Sequence, residues 1–394
     1  MNLYWTLTLG LLLGNIFLNP AHAALDENAS YLEKIIQDRH IKHGFVRERT
    51  RKFLHSSDND GLWTSLYVAA MSFKCGATKE KLARDWARKS FRALEWLESI
   101  TGIPGFPARS IVKAGDPKKY GYDGEWHLDS SRKWEWKGNT SSDEIAGHFF
   151  AYSIFYDLAA DKTDKERVRK LTRKVMDHII DHDWRLVDKD GQPTLWGVWN
   201  PEQINDHKPL ESSADINWKE EQALSSLEIL SHLKTAYHIT GDKKYQKEYL
   251  NLIHKHGYAQ NTLGRVIDPQ DINYSDVELA FCAYYPLLKY EQDIELYHIY
   301  LKSLRKTWTI VRPAAGPWWN FTQCIFNWGE DCDTKDALNT LKKMPRDQIN
   351  KGPVLLRWNS NPFVPNPGNG EIEGDGVVFL LPYWMGKYHK IFFI

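Results

Sequence analysis

The sequence predicts an all-α protein, a ring of helical hairpins, and three observations lead there. The first is a phrase repeated at helix starts: Ser57-Asp58-Asn59-Asp60, Ser141-Ser142-Asp143-Glu144 and Ser275-Asp276-Val277-Glu278, with a weaker copy at Ser212-Ser213-Ala214-Asp215. Each strong copy sets a Ser three residues ahead of an acid and runs into an aromatic-rich apolar segment. That is the pattern of a capping box, in which Ser and acid satisfy each other's backbone amides. The second is apolar residues recurring with the helical period, with few runs of strand-like alternation. The third is connections that alternate between short and long, so that helices entering from one end bring their acidic starts into one crater.

The elements follow in order. A first helix is expected from about Ser30 to Phe53, after which helices pair off. Gly61–Lys74 is followed by Lys79–Ile100, Glu144–Ala160 by Asp164–His182, Ile216–Ile239 by Asp242–His256, and Val277–Tyr290 by Ile294–Ile310. Ile100-Thr101-Gly102 and Ile239-Thr240-Gly241 place Gly just past a long helix, its usual stop position. The long connections 103–139, 183–211, 257–273 and 311–334 are rich in Trp, Gly, Pro and Asp. Loops of that length in a compact domain usually carry function. A short helix near Asp336–Lys343 leads to Pro/Gly/Asn-rich Asn359–Gly374 and a closing helix over Val377–Tyr388, with Glu371, Glu373 and Asp375 at its mouth. Phrase starts near residues 57, 141, 212 and 275 suit a hairpin plus a decorated loop as the repeating unit. No stretch reads as an inter-domain linker, so residues 24–394 are expected to form one domain.

Lys+Arg and Asp+Glu balance at 51 each, which points to neither nucleic acid nor an anionic membrane as partner. The 17 Trp exceed what an all-α core needs. Many fall in the long loops: Trp126, Trp134 and Trp136, then Trp196 and Trp199, then Trp318, Trp319 and Trp328. A single loop Trp can simply cover an apolar seam, but as a set they suit a groove in which sugar faces stack on aromatic rings.

Residues 1–23 read as a secretory signal, with an apolar run from Leu7 to Leu18 and a small-x-small site at Ala21-His22-Ala23. The run is too short for a comfortable transmembrane helix, and no Cys follows it to carry a lipid anchor. A secreted or periplasmic protein is expected. In that compartment Cys324 and Cys332 are expected to bridge, closing a turn-like segment, while Cys75 and Cys282 are as well explained as buried thiols.

The layout resembles the six-hairpin, (α/α)6-toroid superfamily of secreted carbohydrate-active proteins, over roughly residues 30–390. The resemblance is carried by the hairpins, the acidic helix starts and the Trp-bearing loops. It implies a carbohydrate substrate and spans glycoside hydrolases, unsaturated-uronyl hydrolases and polysaccharide lyases. Ser57-Asp58-Asn59-Asp60-Gly61-Leu62-Trp63-Thr64 and Gly105-Phe106-Pro107-Ala108-Arg109-Ser110 look like family signatures, though without roles to assign.

Inverting glycoside hydrolysis needs one carboxylic acid to protonate the leaving oxygen and one carboxylate to activate water from the opposite face. Asp58, Asp60, Asp143, Glu144, Asp276 and Glu278 are the supply. Asp60, Glu144 and Glu278 stand where capping would occupy them, leaving Asp58, Asp143 and Asp276 freer, although the helix dipole alone would also favour acids there. Glu144, His148 and Tyr152 line one helical face, and a His/Tyr pair is how a lyase would take and return a proton. A buried polar stripe explains the same three residues. Arg109 could clamp a uronate or sulfate, or cap local carbonyls. Trp63, Trp126, Trp136, Trp196, Trp199, Trp318 and Tyr152 are the expected substrate-binding aromatics. Asp177, His178, Asp181, His182 and Asp183 invite a metal reading, but no Glu-x-x-His partner accompanies them, so no metal and no cofactor are expected. There is no Gly-rich phosphate loop and no G-x-S-x-G elbow. The expectation is a hydrolase with paired carboxylates, then a lyase, then a non-catalytic glycan-binding protein.

Overall fold

The structure, a computed structural model, describes residues 20–50, 52–118, 124–210, 216–265, 267–327, 332–345, 360–364 and 372–392. Among these residues twelve helices have ten residues or more: α1 (Pro20–Ile35), α2 (Asp60–Thr78), α3 (Lys81–Thr101), α4 (Ser142–Leu158), α5 (Lys162–Asp181), α6 (Trp218–Thr240), α7 (Lys243–His256), α8 (Tyr274–Tyr290), α9 (Ile294–Val311), α10 (Pro317–Phe326), α11 (Thr334–Lys343) and α12 (Val377–Tyr388).

The even-numbered helices form an inner ring, each packed on the next, and α12 returns to α2. Each odd-numbered helix lies outside its partner: α3 on α2, α5 on α4, α7 on α6, α9 on α8, α11 on α10 and α1 on α12. This is the (α/α)6 toroid, closed by pairing the first helix with the last. Residue patterns explain the layering. From Glu144 to Tyr156 every residue of α4 is buried, as an inner helix walled on all sides requires. α3 instead buries one stripe, including Ala83, Ala87, Phe91 and Leu94, and shows water its Lys and Arg residues. At the closure Glu33 of α1 accepts from Lys74 Nζ of α2 (2.7 Å) and Trp384 Nε1 of α12 (2.8 Å).

Helices α3 and α6 stop where expected, at Gly102 and Gly241, both with φ of 71°. The Cys324–Cys332 disulfide is formed, and Cys75 and Cys282 are buried thiols. No described helix is long and apolar enough to cross a membrane. The apolar run Leu7–Leu18, the Ser212–Asp215 phrase, Glu371 and Trp328 lie outside the described residues.

Three expectations are corrected. The Ser30–Phe53 helix ends at Ile35, followed by a π turn, Ile36–His40, and strands β1 (Ile41–Lys42), β2 (Phe45–Val46), β3 (Glu48–Thr50) and β4 (Leu54–His55). Gly44, at φ 91°, turns the chain against α3, where a Cβ would lie 2.9 Å from the Lys89 carbonyl oxygen. The long connections are also not merely loops. They carry a three-stranded antiparallel sheet, β5 (Ser110–Lys113), β6 (Trp126–Leu128) and β7 (Trp134–Lys137) in the order β5-β7-β6, and the hairpin of β8 (Arg185–Val187) with β9 (Pro193–Val198). These strands are too short for alternation to stand out. Finally, Ser275 is no cap: α8 starts at Tyr274, two residues earlier than a Ser275 cap would place it, and the Asn273 side chain accepts from the Ser275 amide at 3.1 Å.

Helix starts are therefore testable. Ser141→Ala and Asn273→Ala should each cost about 0.5–2 kcal/mol, the usual value of a side-chain cap. Ser275→Ala should cost less than Asn273→Ala, because the serine lies inside the helix and not at its cap. Denaturant midpoints measure all three, and a large loss at Ser275 with none at Asn273 would return the cap to the serine.

Candidate functional site

The N-termini of α2, α4, α6 and α8 open at the same end of the ring. Ser141 and Glu144 form a complete capping box: the Ser141 amide and hydroxyl donate to Glu144 Oε2 at 3.0 and 2.9 Å. Turning α4 in this way leaves Asp143 on the crater side. Its Oδ2 accepts from Asn59 Nδ2, at the start of α2, at 3.1 Å. Asp143 also lies close enough to Asp276 of α8 and Glu221 of α6 for their charges to influence one another's ionisation. Glu228, two turns further along α6, feels Asp143, Glu221 and Asp276.

Asp143, Glu221, Asp276 and Glu278 keep partial solvent access, and the first three lie within range of one another's charge. Burial raises all four, against Arg109 at Asp143 and Arg265 at Glu221 and Asp276. Glu221 is pushed up to about 7 and Glu278 to about 8. Glu228 is buried outright and pushed up to about 8, although Trp199 Nε1 donates to its Oε2 at 3.0 Å. Among the described residues its Oε1 has no hydrogen-bond partner, nor has either ring nitrogen of His232, one turn on. His232 stacks on Phe149 at 4.6 Å, and burial lowers its pKa to about 3, so the ring is neutral.

Several expected site residues are placed differently. Asp60 is fully buried and engaged by Arg47 and by the Ser57 amide and hydroxyl (2.9 and 3.0 Å), a structural ion pair beneath the start of α2. Asp58 is held by the buried Lys137 ammonium. Glu144 gives one oxygen to its cap, lies 3.8 Å from Arg109 Nε with the other, and is pushed up by burial to about 7. The Glu144-His148-Tyr152 stripe faces α2 and α3 rather than the crater. His148 Nδ1 meets the Tyr152 hydroxyl at 2.9 Å, and a Cβ on Gly61 of α2 would come within 3.0 Å of His148 Nε2. Tyr152 is wholly buried against Phe91 of α3.

Arg109 is not an open clamp. Its Nε, Nη1 and Nη2 donate to Asp58 O (3.0 Å), Asn139 O (3.0 Å) and Asn59 Oδ1 (2.7 Å). Among the aromatics Trp136, Trp199 and Trp318 are core residues and cannot stack on a sugar, whereas Trp63, Trp126 and Trp196 keep exposed surface. His178 spends both ring nitrogens on backbone: Nδ1 donates to Pro104 O (3.0 Å) and Nε2 accepts from the Val187 amide (3.1 Å). Those partners fix its tautomer and leave no lone pair for a metal.

Sequence reasoning missed Asn59, Glu221, Glu228, His232 and Arg265. Two of the α6 residues had a signal: Glu228 and His232, one turn apart, interrupt an otherwise apolar or small-residue stretch from Ala223 to Leu233. Asn59 and Arg265 had none.

No protein-family model matches the chain, and no curated protein matches its sequence significantly. Solved structures match along nearly its whole length. A glycosyl hydrolase family 88 protein from Bacteroides vulgatus aligns over 94% of this chain and 99% of its own, at 13% identity and a TM-score of 0.48. Cellobiose 2-epimerase from Bacillus thermoamylovorans aligns over 94% and 100%, at 10% identity and a TM-score of 0.49. Unsaturated glucuronyl hydrolase from Streptococcus agalactiae aligns over 95% and 92%, at 12% identity and a TM-score of 0.45. Similarity at this level assigns no residue role to this chain.

The buried acid Glu228 has a measurable consequence. Unfolded, it ionises near its ordinary value of 4.5; folded, it keeps its proton up to about 8. The folded state thus binds more protons between those values, and stability falls as pH rises across the window, by on the order of 1 kcal/mol per pH unit for one such group. Glu228→Gln, which still offers Trp199 an acceptor, should make the decline shallower in denaturant titrations from pH 5 to 8. Equal slopes would mean that Glu228 is already ionised in the folded protein.

Proposed function

We propose that the crater hydrolyses glycosidic bonds, with Asp143 and Glu221 as the working pair. The observation that carries this reading is that two partly exposed carboxyls from neighbouring inner helices lie within range of each other's charge. Glu221 is desolvated and pushed up to about 7, which suits a proton donor at neutral pH. Asp143 is also raised by burial, but the nearby Arg109 and the Asn59 amide both favour its carboxylate, as a base or nucleophile requires. Asp276 tunes the pair by charge. Trp63, Trp126 and Trp196 retain the surface that a stacked sugar would use. The Cys324–Cys332 bridge supports an oxidising compartment, in keeping with residues 1–23 as a secretory leader. Proton abstraction by His148 and Tyr152 draws no support from their position, turned into the α2/α3 interface.

Purified protein should release reducing ends from at least one member of a panel of neutral and acidic glycans, without a product absorbing in the near ultraviolet. On that substrate Asp143→Asn and Glu221→Gln should each lower kcat by about 10²–10⁴-fold, the usual range for an acid or base role, with little change in melting temperature. Near-native turnover in both variants would move the chemistry elsewhere. An ultraviolet-absorbing product would indicate a lyase, and ligand-induced Trp fluorescence without turnover a binding protein.

A further inference from the structure

We propose that Arg265 is an anion subsite of the crater, its guanidinium receiving a carboxylate or sulfate group carried by the sugar substrate. The inference rests on the crater being the sugar site proposed above and adds the class of sugar it takes.

Arg265 follows a short 3-10 turn, Thr262–Gly264, on the connection into α8, and is 8% exposed. Its Nη1 is sealed from solvent and has no hydrogen-bond partner, and among the described residues the guanidinium makes neither hydrogen bond nor ion pair. Other buried guanidiniums nearby are provided for. Arg47 engages Asp60 and the Ile111 carbonyl, and Arg109 donates to three oxygens. An arginine buried without acceptors costs several kcal/mol, so the missing acceptors are expected from something that binds.

The location names the site. The Arg265 charge is sensed by Glu221 in the first turn of α6 and by Asp276 in the first turn of α8, both members of the crater, yet neither closes on it as an ion pair. A planar fork of N–H donors is shaped for two oxygens of one anion, which a carboxylate or a sulfate presents and a hydroxyl does not. Trp218, the first residue of α6, is likewise buried with an indole N–H that has no partner. The acids of the crater do not forbid an anion, because Glu221, Glu228 and Glu278 hold protons up to about 7 to 8 and donate hydrogen bonds while protonated.

The test measures binding of three sugars to the full chain by Trp fluorescence and calorimetry: glucuronate, glucose 6-sulfate and glucose. At pH 6 at least one of the two anions should bind tenfold or more tighter than glucose, and the tighter of them identifies the group. That preference should vanish in Arg265→Gln and be only partly kept in Arg265→Lys, which preserves charge without the fork. It should persist in Asp143→Asn, since the subsite needs no turnover. Equal binding of the three sugars, no binding of either anion, or an undiminished preference in the folded variants would overturn the proposal. The two readings fail separately. A protein that binds glucuronate but cleaves no glycan keeps the anion subsite and loses the hydrolase. One that cleaves neutral glycans without any anion preference does the reverse.

Discussion

The guanidinium of Arg109 ties the crater together. From one buried side chain it donates to Asp58 O before α2, to Asn139 O before α4 and to Asn59 Oδ1, while Glu144 stands 3.8 Å away. A rigid fork spread over three acceptors fixes their mutual positions, because each would be costly to leave unpaired out of water. The consequence reaches the chemistry through Asn59. With Oδ1 bound to Arg109, its amide nitrogen must face the other way, and there it meets Asp143. The orientation of one amide thus sets which oxygen of Asp143 is occupied. Asn139 extends the network outwards: at φ 52° its side chain accepts from the Leu195 amide at 2.8 Å, and its own amide donates to Asp188. The connections after α3 and after α5 are thereby locked to the same centre.

The toroid makes this possible because its inner helices have no outward face. From Glu144 to Tyr156 on α4 and from Ala223 to Ala236 on α6 every residue is buried, so a polar group there must be paired, neutral or in contact with a ligand. Both solutions to pairing occur side by side. Glu144 gives an oxygen to the cap of its own helix, and Glu228 takes the indole of Trp199 from the connection before α6. His148 and His232 are kept as neutral rings by burial, with values lowered to about 3. The helix starts do two jobs with one phrase, since the cap that orients α4 also turns the preceding acid into the cavity.

These facts mark how much could be read from the sequence. The Ser141-x-x-Glu144 box and the glycines at 102 and 241 are local, so the helices they bound and the ring layout were legible. Asp143 was legible for the same reason, standing beside a capping acid but not used by it. Asp58 and Asp60 repeat the motif, yet their fates are decided by Lys137 and Arg47, partners that no local pattern connects to them. Spacing put Glu144, His148 and Tyr152 on one face, but which way that face pointed depended on Gly61 letting α2 come close. The strands after α1 were hidden because their pairing is remote: β3 joins Arg49 to Glu373, on a two-residue strand just before α12.

The two arginines beside the crater carry the same charge but are used oppositely. Arg109 donates to neutral acceptors, the Asp58 and Asn139 carbonyls and the Asn59 amide, with Glu144 at 3.8 Å, and its charge also favours the carboxylate of Asp143. Arg265 is acted on by the charges of Glu221 and Asp276 and has no hydrogen bond among the described residues, so its donors remain available. If Glu221 or Asp276 closed on Arg265 as Asp60 closes on Arg47, the pair would be stable and inert: the acid would ionise low and the fork would be full. Keeping the three groups near but unpaired costs folding stability and leaves two acids raised by burial beside a cation that has no hydrogen bond among the described residues. A site built only for stability would have closed those pairs, which is the physical reason to read this end of the ring as the working end.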